Sequence, residues 1–307
     1  MGQLDSLIDI RIFEAVARLR SMSLAARDLD LSVNYISKHL KRLEDQVGHR
    51  LLNRTTRQLS LTAEGQALFD QAIPILDGAG RAEEAMDGPG AKPRGTLRVT
   101  CTNGLGQWQI APRLTRFLAR YPEVQVHLLV TDEIVDLVAD GIDLAIRQAE
   151  GVDSSMITRR LVPDAHWICA SPDYLAQFGT PTQPEDLAGH RCLVQDNASR
   201  DSWTLSDGKE TRRVKVPVAL LSRSGAVTHA AALAGVGLAK LSAWELLDDV
   251  AAGRLVRVLP QWKGAPHSIQ IVYPARDWQP RRLKAFVDFI QNEFHATLAQ
   301  LGDGFTF

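Results

Sequence analysis

Apolar side chains recur at helical spacing over two stretches near the N-terminus. Leu4, Ile8, Ile12, Phe13, Val16 and Leu19 outline a helix over residues 4–20. Ile36, Leu40, Leu43, Val47 and Leu51, at intervals of four, three, four and four, draw one apolar stripe along another. Between them Ser23 is placed to N-cap a short helix, in which small Ala25 and Ala26 let a neighbour cross closely. Asp30 and Leu31 make a turn, and Ser32 caps the striped helix. Off the stripe stand Asn34, Tyr35, Lys38, Lys41 and Arg42, which face water or a partner. A polar first turn followed by basic residues on an exposed face suits a DNA recognition helix, and equally an ordinary amphipathic helix with a solvated face.

After Leu51 the period changes. Leucine alternates with Thr and polar residues, which predicts two short strands with a tip near Thr56–Gln58. Thr62 can cap a new helix, with Glu64 in its first turn. Through Met86 that helix carries Leu68, Ala72, Ile75 or Leu76, Ala79, Ala82 and Met86 at roughly heptad spacing. Such a helix pairs with a copy of itself or lies on its own domain, and Pro74 should kink it. Asp87-Gly-Pro-Gly-Ala-Lys-Pro-Arg-Gly is a breaker-rich linker and a domain boundary.

Beyond the linker, strands alternate with helices. Strands are expected at Thr96–Thr102, Val124–Val130 and Leu144–Arg147, with helices at Ile110–Arg120 and Val135–Asp140. A second run has strands at Trp167–Ala170, Cys192–Gln195, Val214–Val218 and Gly237–Leu241 around a helix at Ala226–Ala234. Ile269–Tyr273 and a helix over Gln279–Leu301 close the chain. The alternation predicts parallel α/β sheets with right-handed crossovers, in two runs that form two lobes.

The chain has 307 residues, 45% hydrophobic and 23% charged, with a net charge of −1. That leaves room for two or three domains and no global attraction to nucleic acid or anionic membrane. The exception is local: residues 34–58 hold six Lys or Arg against two acids. A neutral chain with one basic segment suits a specific DNA contact. Three cysteines, Cys101, Cys169 and Cys192, have no CxxC spacing, which argues against a disulfide framework and a zinc site. No signal peptide or membrane-length apolar run is seen, so a cytoplasmic location is expected. Gly104-Leu105-Gly106 lacks the third glycine of a dinucleotide loop, and no hydrolase elbow, Walker loop or metal-spaced His cluster appears. Neither an enzyme, a cofactor nor a metal is expected. A periplasmic binding protein would explain the lobes but not the first ninety residues. A redox sensor using Cys101 or Cys192 lacks a nearby basic cluster to lower the thiol pKa.

An ordered set of motifs carries a family resemblance. It runs from Ile12-Phe13-Glu14-Ala15-Val16-Ala17 through Ser23-Leu24-Ala25-Ala26 and Ser37-Lys38-His39-Leu40-Lys41-Arg42-Leu43-Glu44. It continues with Gly48 to Arg57 and Leu61-Thr62-Ala63-Glu64-Gly65. In the second half stand Arg94 to Val99, Ala111-Pro112, Tyr121-Pro122, Asp143-Leu144-Ala145-Ile146-Arg147, Ala170 to Leu175, Pro184 to Leu187 and Ala234 to Ala239. Together these resemble the LysR-type transcriptional regulators over nearly the whole chain. The resemblance implies an α/β protein with an N-terminal winged helix-turn-helix (residues 1–62), a linker or dimerisation helix and hinge (63–92), and a two-lobed effector domain like a periplasmic binding protein (93–307). Lobe I would take 93–163 plus 270–307, and lobe II 164–269. It implies homodimers, often dimers of dimers, bound to double-stranded promoter DNA, with a small-molecule effector and RNA polymerase as further partners. Asn34 and Tyr35 depart from the small residues or Pro usual in the family before Ile36, so base preference does not transfer from relatives.

For DNA, Asn34, Tyr35 and Lys38 are expected at base edges; Asn pairs bidentately with adenine. Ser32, Arg42, Arg54, Thr55, Thr56 and Arg57 are expected at phosphates. For the effector, the loop Thr102-Asn103-Gly104 opens a helix whose free amides can hold an anion. Arg147 ends a strand, where it pairs with a ligand carboxylate or with a nearby acid such as Asp143. By the resemblance, Thr102, Asn103, Thr131, Arg147, Asn197 and Ser224 form the cleft, and a small carboxylate is the expected effector class.

Overall fold

A computed structural model describes residues 4–54, 59–88, 90–148, 156–195, 201–264, 267–275 and 278–301. The N-terminal unit begins with α1 (Leu7–Leu19), α2 (Met22–Asp28) and α3 (Val33–Val47). The first helix starts three residues later than its apolar pattern, because the Ser6 hydroxyl accepts from the Asp9 amide and sets the cap there. Ser21, not Ser23, caps α2: its hydroxyl accepts from the Leu24 amide, and Ser23 lies inside the helix. Ser32 caps α3 by accepting from the Tyr35 amide at 3.2 Å, and Gly48, at φ 73°, ends it. The stripe on α3 is the core of this unit. Ile36, Leu40, Leu43 and Leu51 are buried against Ile12, Phe13, Val16, Ala25 and Ala26. Full burial of such a side chain contributes about 1.5–3 kcal/mol.

Two short strands, β1 (Leu52–Arg54) and β2 (Leu59–Leu61), pair antiparallel and form the wing. Glu44 ties the end of α3 to it: one carboxylate oxygen accepts from the amides of Leu51 and Leu52, at 2.9 and 3.3 Å. Next comes α4 (Ala63–Met86), capped by Thr62 and carrying Pro74 inside. Gly65 lets its first turn approach the wing, since a Cβ there would stand 2.0 Å from the Leu51 carbonyl oxygen. Phe69 and Ala72 are buried, whereas Ala82, Ala85 and Met86 are exposed.

The C-terminal unit holds two five-stranded sheets. Its first run is β3 (Gly95–Cys101), α5 (Asn103–Leu105), a π-turn (Gly106–Ile110), α6 (Ala111–Arg120), β4 (Val124–Val130), β5 (Leu144–Gln148) and β6 (Met156–Asp164). The chain then crosses to β7 (His166–Ala170), α7 (Pro172–Phe178), β8 (Cys192–Gln195), β9 (Ser202–Ser206), β10 (Thr211–Lys215), β11 (Val218–Ser222), α8 (Gly225–Leu233), β12 (Leu238–Ser242), α9 (Ala243–Ala251) and β13 (Val256–Val258). It returns as β14 (His267–Pro274) and ends in α10 (Arg281–Leu301). The strand orders are β4-β3-β5-β14-β6 and β11-β8-β12-β7-β13, with β9 and β10 as a separate ribbon.

Each sheet is mixed rather than parallel. Strand β14 runs antiparallel to β5 and β6, and β7 antiparallel to β12 and β13. These are the strands at which the chain changes sheet, so they enter against the βαβ direction. Val135–Asp140, expected as a short helix, is irregular and turn structure, with the Ile142 amide donating to the Leu137 carbonyl. The two lobes share one apolar core. It runs from Leu97, Val99 and Phe117 of the first lobe to Trp167, Leu193 and Trp244 of the second. Trp244 on α9 meets Phe294 on α10 with centroids 5.0 Å apart, and its indole donates to the Pro163 carbonyl at 2.9 Å.

At the crossover, Asp164 is buried and accepts four hydrogen bonds. They come from Gln148 (2.7 Å), Ser242 (2.7 Å), the Ala165 amide (2.8 Å) and His267 (3.0 Å). A buried polar group is tolerated only when so satisfied. These bonds pin the strands that connect the lobes.

Candidate functional site

Two surfaces collect the sequence-predicted residues. On α3, Ser32, Asn34, Tyr35, Lys38 and Arg42 are exposed, as a helix face that reads a groove requires. Tyr35 stacks on His39 at 4.1 Å between centroids, and the His39 Nδ1 contacts Oδ1 of the fully buried Asp9 on α1. Arg42 reaches the same acid at 3.3 Å and Asp5 at 3.5 Å. Its guanidinium is therefore already engaged in holding α3 to α1, which the α3 pattern alone did not signal. Asp9 was legible only as one acid between Ile8 and Ile10 in an apolar stripe. Arg54 ends β1, while Thr55, Thr56 and Arg57 lie outside the described residues.

The second surface lies between the two sheets of the C-terminal unit. Register places it. Cys101, the last residue of β3, pairs with Val130 of β4 and Ile146 of β5. Thr102, Thr131 and Arg147 therefore stand together at the carboxyl edge of the first sheet, where ligands of open α/β sheets bind. Thr102 precedes α5 without a side-chain cap bond, and the Thr131 hydroxyl accepts from the Glu133 amide at 3.1 Å. Ser224 stands at the start of α8 in the second sheet, its amide donating to Ser222 Oγ at 3.1 Å. Asn197 lies outside the described residues.

Arg147 makes no ion pair with Asp143, whose carboxylate accepts instead from the Arg98 amide at 2.8 Å. Its Nε is buried without a hydrogen-bond partner, and burial lowers the guanidinium pKa from its ordinary value. A half-buried guanidinium with an unpartnered Nε can donate to an anion, and the Nε atoms of Arg113, Arg257 and Arg282 share this state.

Two acids missed in the sequence complete the cleft. Asp132 follows β4, and its carboxylate accepts from the Asn103 amide and side chain, both at 2.9 Å, and from the Gly225 amide at 3.3 Å. Glu245, on α9, lies over Gly104 and Gly225, where an added Cβ would stand 2.2 and 3.4 Å from its nearest oxygens. Burial, with Asp164 and Asp132 nearby, pushes its carboxyl up to about 8. The signal for Glu245 was a lone acid in the apolar run Trp244-Glu245-Leu246-Leu247. Among the described residues, no group of three or more His, Cys, Asp or Glu can hold a metal ion. No described helix is long and apolar enough to cross a membrane.

Comparison with known proteins agrees in both halves. Residues 7–66 match the model of the bacterial regulatory helix-turn-helix protein, lysR family, and residues 90–295 that of the LysR substrate binding domain. The chain is 32% identical over 296 residues to the HTH-type transcriptional regulator DmlR of Escherichia coli, covering 96% of each. It resembles the solved structure of CrgA, a LysR-type regulator from Neisseria meningitidis, with a TM-score of 0.62 and 32% identity over 95% of this chain and 99% of that one. The full-length Vibrio cholerae virulence activator AphB is similar at a TM-score of 0.60 and 26% identity, covering 94% of this chain and 99% of that one.

Proposed function

The chain belongs to the LysR-type transcriptional regulators, and from that premise we propose that its promoter binding is set by a small carboxylate held between the lobes of its effector domain. The observation that carries this reading is Arg147. Its guanidinium stands at the carboxyl edge of the first sheet, half-buried, with Nε lacking a partner. A carboxylate fits such a fork bidentately. Thr102, Asn103, Thr131, Asn197 and Ser224 line the same cleft in this reading. The domain limits proposed from the sequence go with it, except that β14 begins at His267 rather than 270.

On DNA, Asn34, Tyr35 and Lys38 read base edges from α3. Ser32, Arg54, Thr55, Thr56 and Arg57 hold phosphates, and Arg42 adds charge while held by Asp9. The exposed Ala82, Ala85 and Met86 of α4 support a homodimer formed through that helix, with dimers of dimers on promoter DNA and RNA polymerase as a further partner. The protein acts in the cytoplasm and catalyses no reaction. Calorimetry with aliphatic and aromatic carboxylates on the intact chain and on Arg147→Gln tests the effector reading. Binding by the intact chain at least tenfold tighter than by the variant is expected. Absence of any Arg147-dependent binding would sink it.

A further inference from the structure

The effector cleft contains an anion of its own. Asp132 belongs to the loop after β4, yet its carboxylate accepts from two helix starts, one in each lobe. On one side are the amide and side-chain amide of Asn103. On the other is the amide of Gly225, first residue of the nine-residue helix α8. Asn103 opens a helical segment that runs without a break through the π-turn into α6, to Arg120. Free amides at the positive end of a helix are what an anionic ligand seeks, and here a side chain of the protein already fills the place.

A second side chain points into the same spot. Glu245 is 8% exposed and lies against the Cα atoms of Gly104 and Gly225. Gln195 also closes on Gly225, its Nε2 standing 2.8 Å from where a Cβ would be. Among the described residues Glu245 has no hydrogen-bond partner. A polar side chain this buried normally has one. Burial keeps its carboxyl protonated at neutral pH, so it has an O–H to donate. The Asp132 carboxylate and the protonated Glu245 carboxyl thus converge on the two helix starts at Asn103–Gly104 and Gly225, where both lobes meet, and Arg147 stands at the carboxyl edge of the same first sheet.

We propose that Asp132 is a built-in occupant of the effector's anion pocket, latching the two lobes together, and that an effector carboxylate acts by displacing it, with Glu245 donating a hydrogen bond to the incoming group. This rests on the carboxylate reading of the cleft above. It adds a competition: the protein's own carboxylate sets the threshold that a ligand must exceed. A ligand with two carboxylates can satisfy the vacated amides with one and Arg147 with the other. A single carboxylate cannot do both.

The test uses the full chain carrying Asp132→Ala, with acetate and formate as probes and sodium chloride at equal ionic strength as control. The variant's thermal midpoint is expected to fall by several degrees. Tens of millimolar acetate should restore at least half of that loss, whereas wild type should not respond. In the double variant Asp132→Ala/Glu245→Ala, acetate should act at least tenfold more weakly. A folded Asp132→Ala chain with no acetate response beyond the chloride control would overturn the proposal. Should that variant fail to fold, Asp132→Asn serves: its neutral side chain is a poorer occupant, so succinate should stabilise it at a concentration at least tenfold lower than wild type. Equal succinate responses would overturn the proposal in the same way. The two readings can fail separately. Acetate rescue of Asp132→Ala, with wild type indifferent to every carboxylate, supports the internal occupant and removes the carboxylate effector. Arg147-dependent binding by wild type, without rescue of the variant, removes the occupant alone.

Discussion

The carboxyl group of Glu245 lies so close over Gly104 that a Cβ on that glycine would stand 2.0 Å from its Cδ and 2.2 and 2.3 Å from its oxygens. Gly104 is the second residue of the first lobe's helical segment, and Glu245 lies on α9 of the second. Glycine at 104 is therefore a condition for the lobes to close. Glu245 is buried, so it has no solvent to swing into. Gly104→Ala should cost about 1–3 kcal/mol, the usual range for forcing atoms into a packed site. Adding Glu245→Ala should return a large part of that loss. Denaturant unfolding of the two single variants and the double gives the coupling energy, and simple additivity would show that the contact is not what excludes a side chain at 104.

Glu245 also makes the stability of this domain depend on pH. Its folded pKa, pushed up to about 8, lies above the ordinary carboxyl value of 4.5. Between those values the folded state holds a proton that the unfolded state has released, so stability falls as pH rises. This contribution is complete below pH 4.5 and is lost by pH 8. Its size across the window is on the order of 5 kcal/mol. Other groups titrate in the same range, so the comparison is between wild type and Glu245→Gln. The difference between their unfolding free energies should narrow or reverse in favour of the variant on going from pH 5 to pH 8. Parallel curves would mean that Glu245 is not held neutral.

The elements most legible in the sequence were those fixed by short-range physics. The α3 stripe, the caps at Ser32 and Thr62 and the breaker-rich linker all depend on neighbours within a turn or two. What was not legible depends on atoms brought together from far along the chain. Arg147 was readable because it ends a strand. Asp132 follows β4, at the same edge of that sheet, but an acid there reads as solvated until the Gly225 amide arrives from the other lobe. The mixed sheets were missed for a like reason. Alternating strands and helices imply parallel pairing only while the chain stays in one sheet, and β7 and β14 are where it leaves and returns. Ser23 lost to Ser21 as a cap because both spacings fit the pattern and only the backbone decides.

Asp9 anchors the recognition helix from below. It is fully buried on α1 and faces His39 and Arg42 on α3, and the His39 ring carries Tyr35 on its face. Asp9→Ala would leave the His39 Nδ1 without its partner. Losing one partner of a buried polar pair costs about 1–3 kcal/mol. Half of the Arg42 side chain is in solvent, so its share of the loss is small. The N-terminal unit should therefore unfold at lower denaturant. Tyr35, freed from its support, should contact DNA less well even where the variant remains folded. Fluorescence anisotropy with promoter DNA, alongside circular dichroism melting, separates the two effects. An Asp9→Ala protein with unchanged melting would show that the buried acid contributes no net stability.

The three thiols should be inert in the folded protein. Cys101, Cys169 and Cys192 are all buried, and burial pushes each pKa up to about 12. Arg147 near Cys101 lowers that thiol's value, but burial outweighs it. At pH 8 the thiolate fraction is then roughly one part in ten thousand, and the thiolate is the reactive form. Titration with a disulfide reagent at pH 8 should give no fast phase until denaturant is added, when all three thiols react. A single thiol reacting quickly in the native state would reopen a redox role for this protein.

Asn34 is the residue at which sequence choice on DNA should concentrate. It lies on the exposed first turn of α3, held by the Ser32 cap, and it carries both a donor and an acceptor. That pair matches the N6 and N7 edge of adenine in the major groove, and a good bidentate match is worth about 1–3 kcal/mol of discrimination. Asn34→Ala should weaken a selected cognate site by that amount and leave unrelated duplexes nearly unchanged. The salt dependence of binding should not alter, because no phosphate contact is lost. Lys38→Ala is the control on the same face: removing a cation should reduce the salt slope whether or not the side chain also meets a base. The measurement is a titration of both variants against the cognate site, point-substituted versions of it and random DNA, at several salt concentrations. If Asn34→Ala weakens every duplex equally, the side chain reads no base, and specificity must come from Tyr35 or from the shape of the DNA.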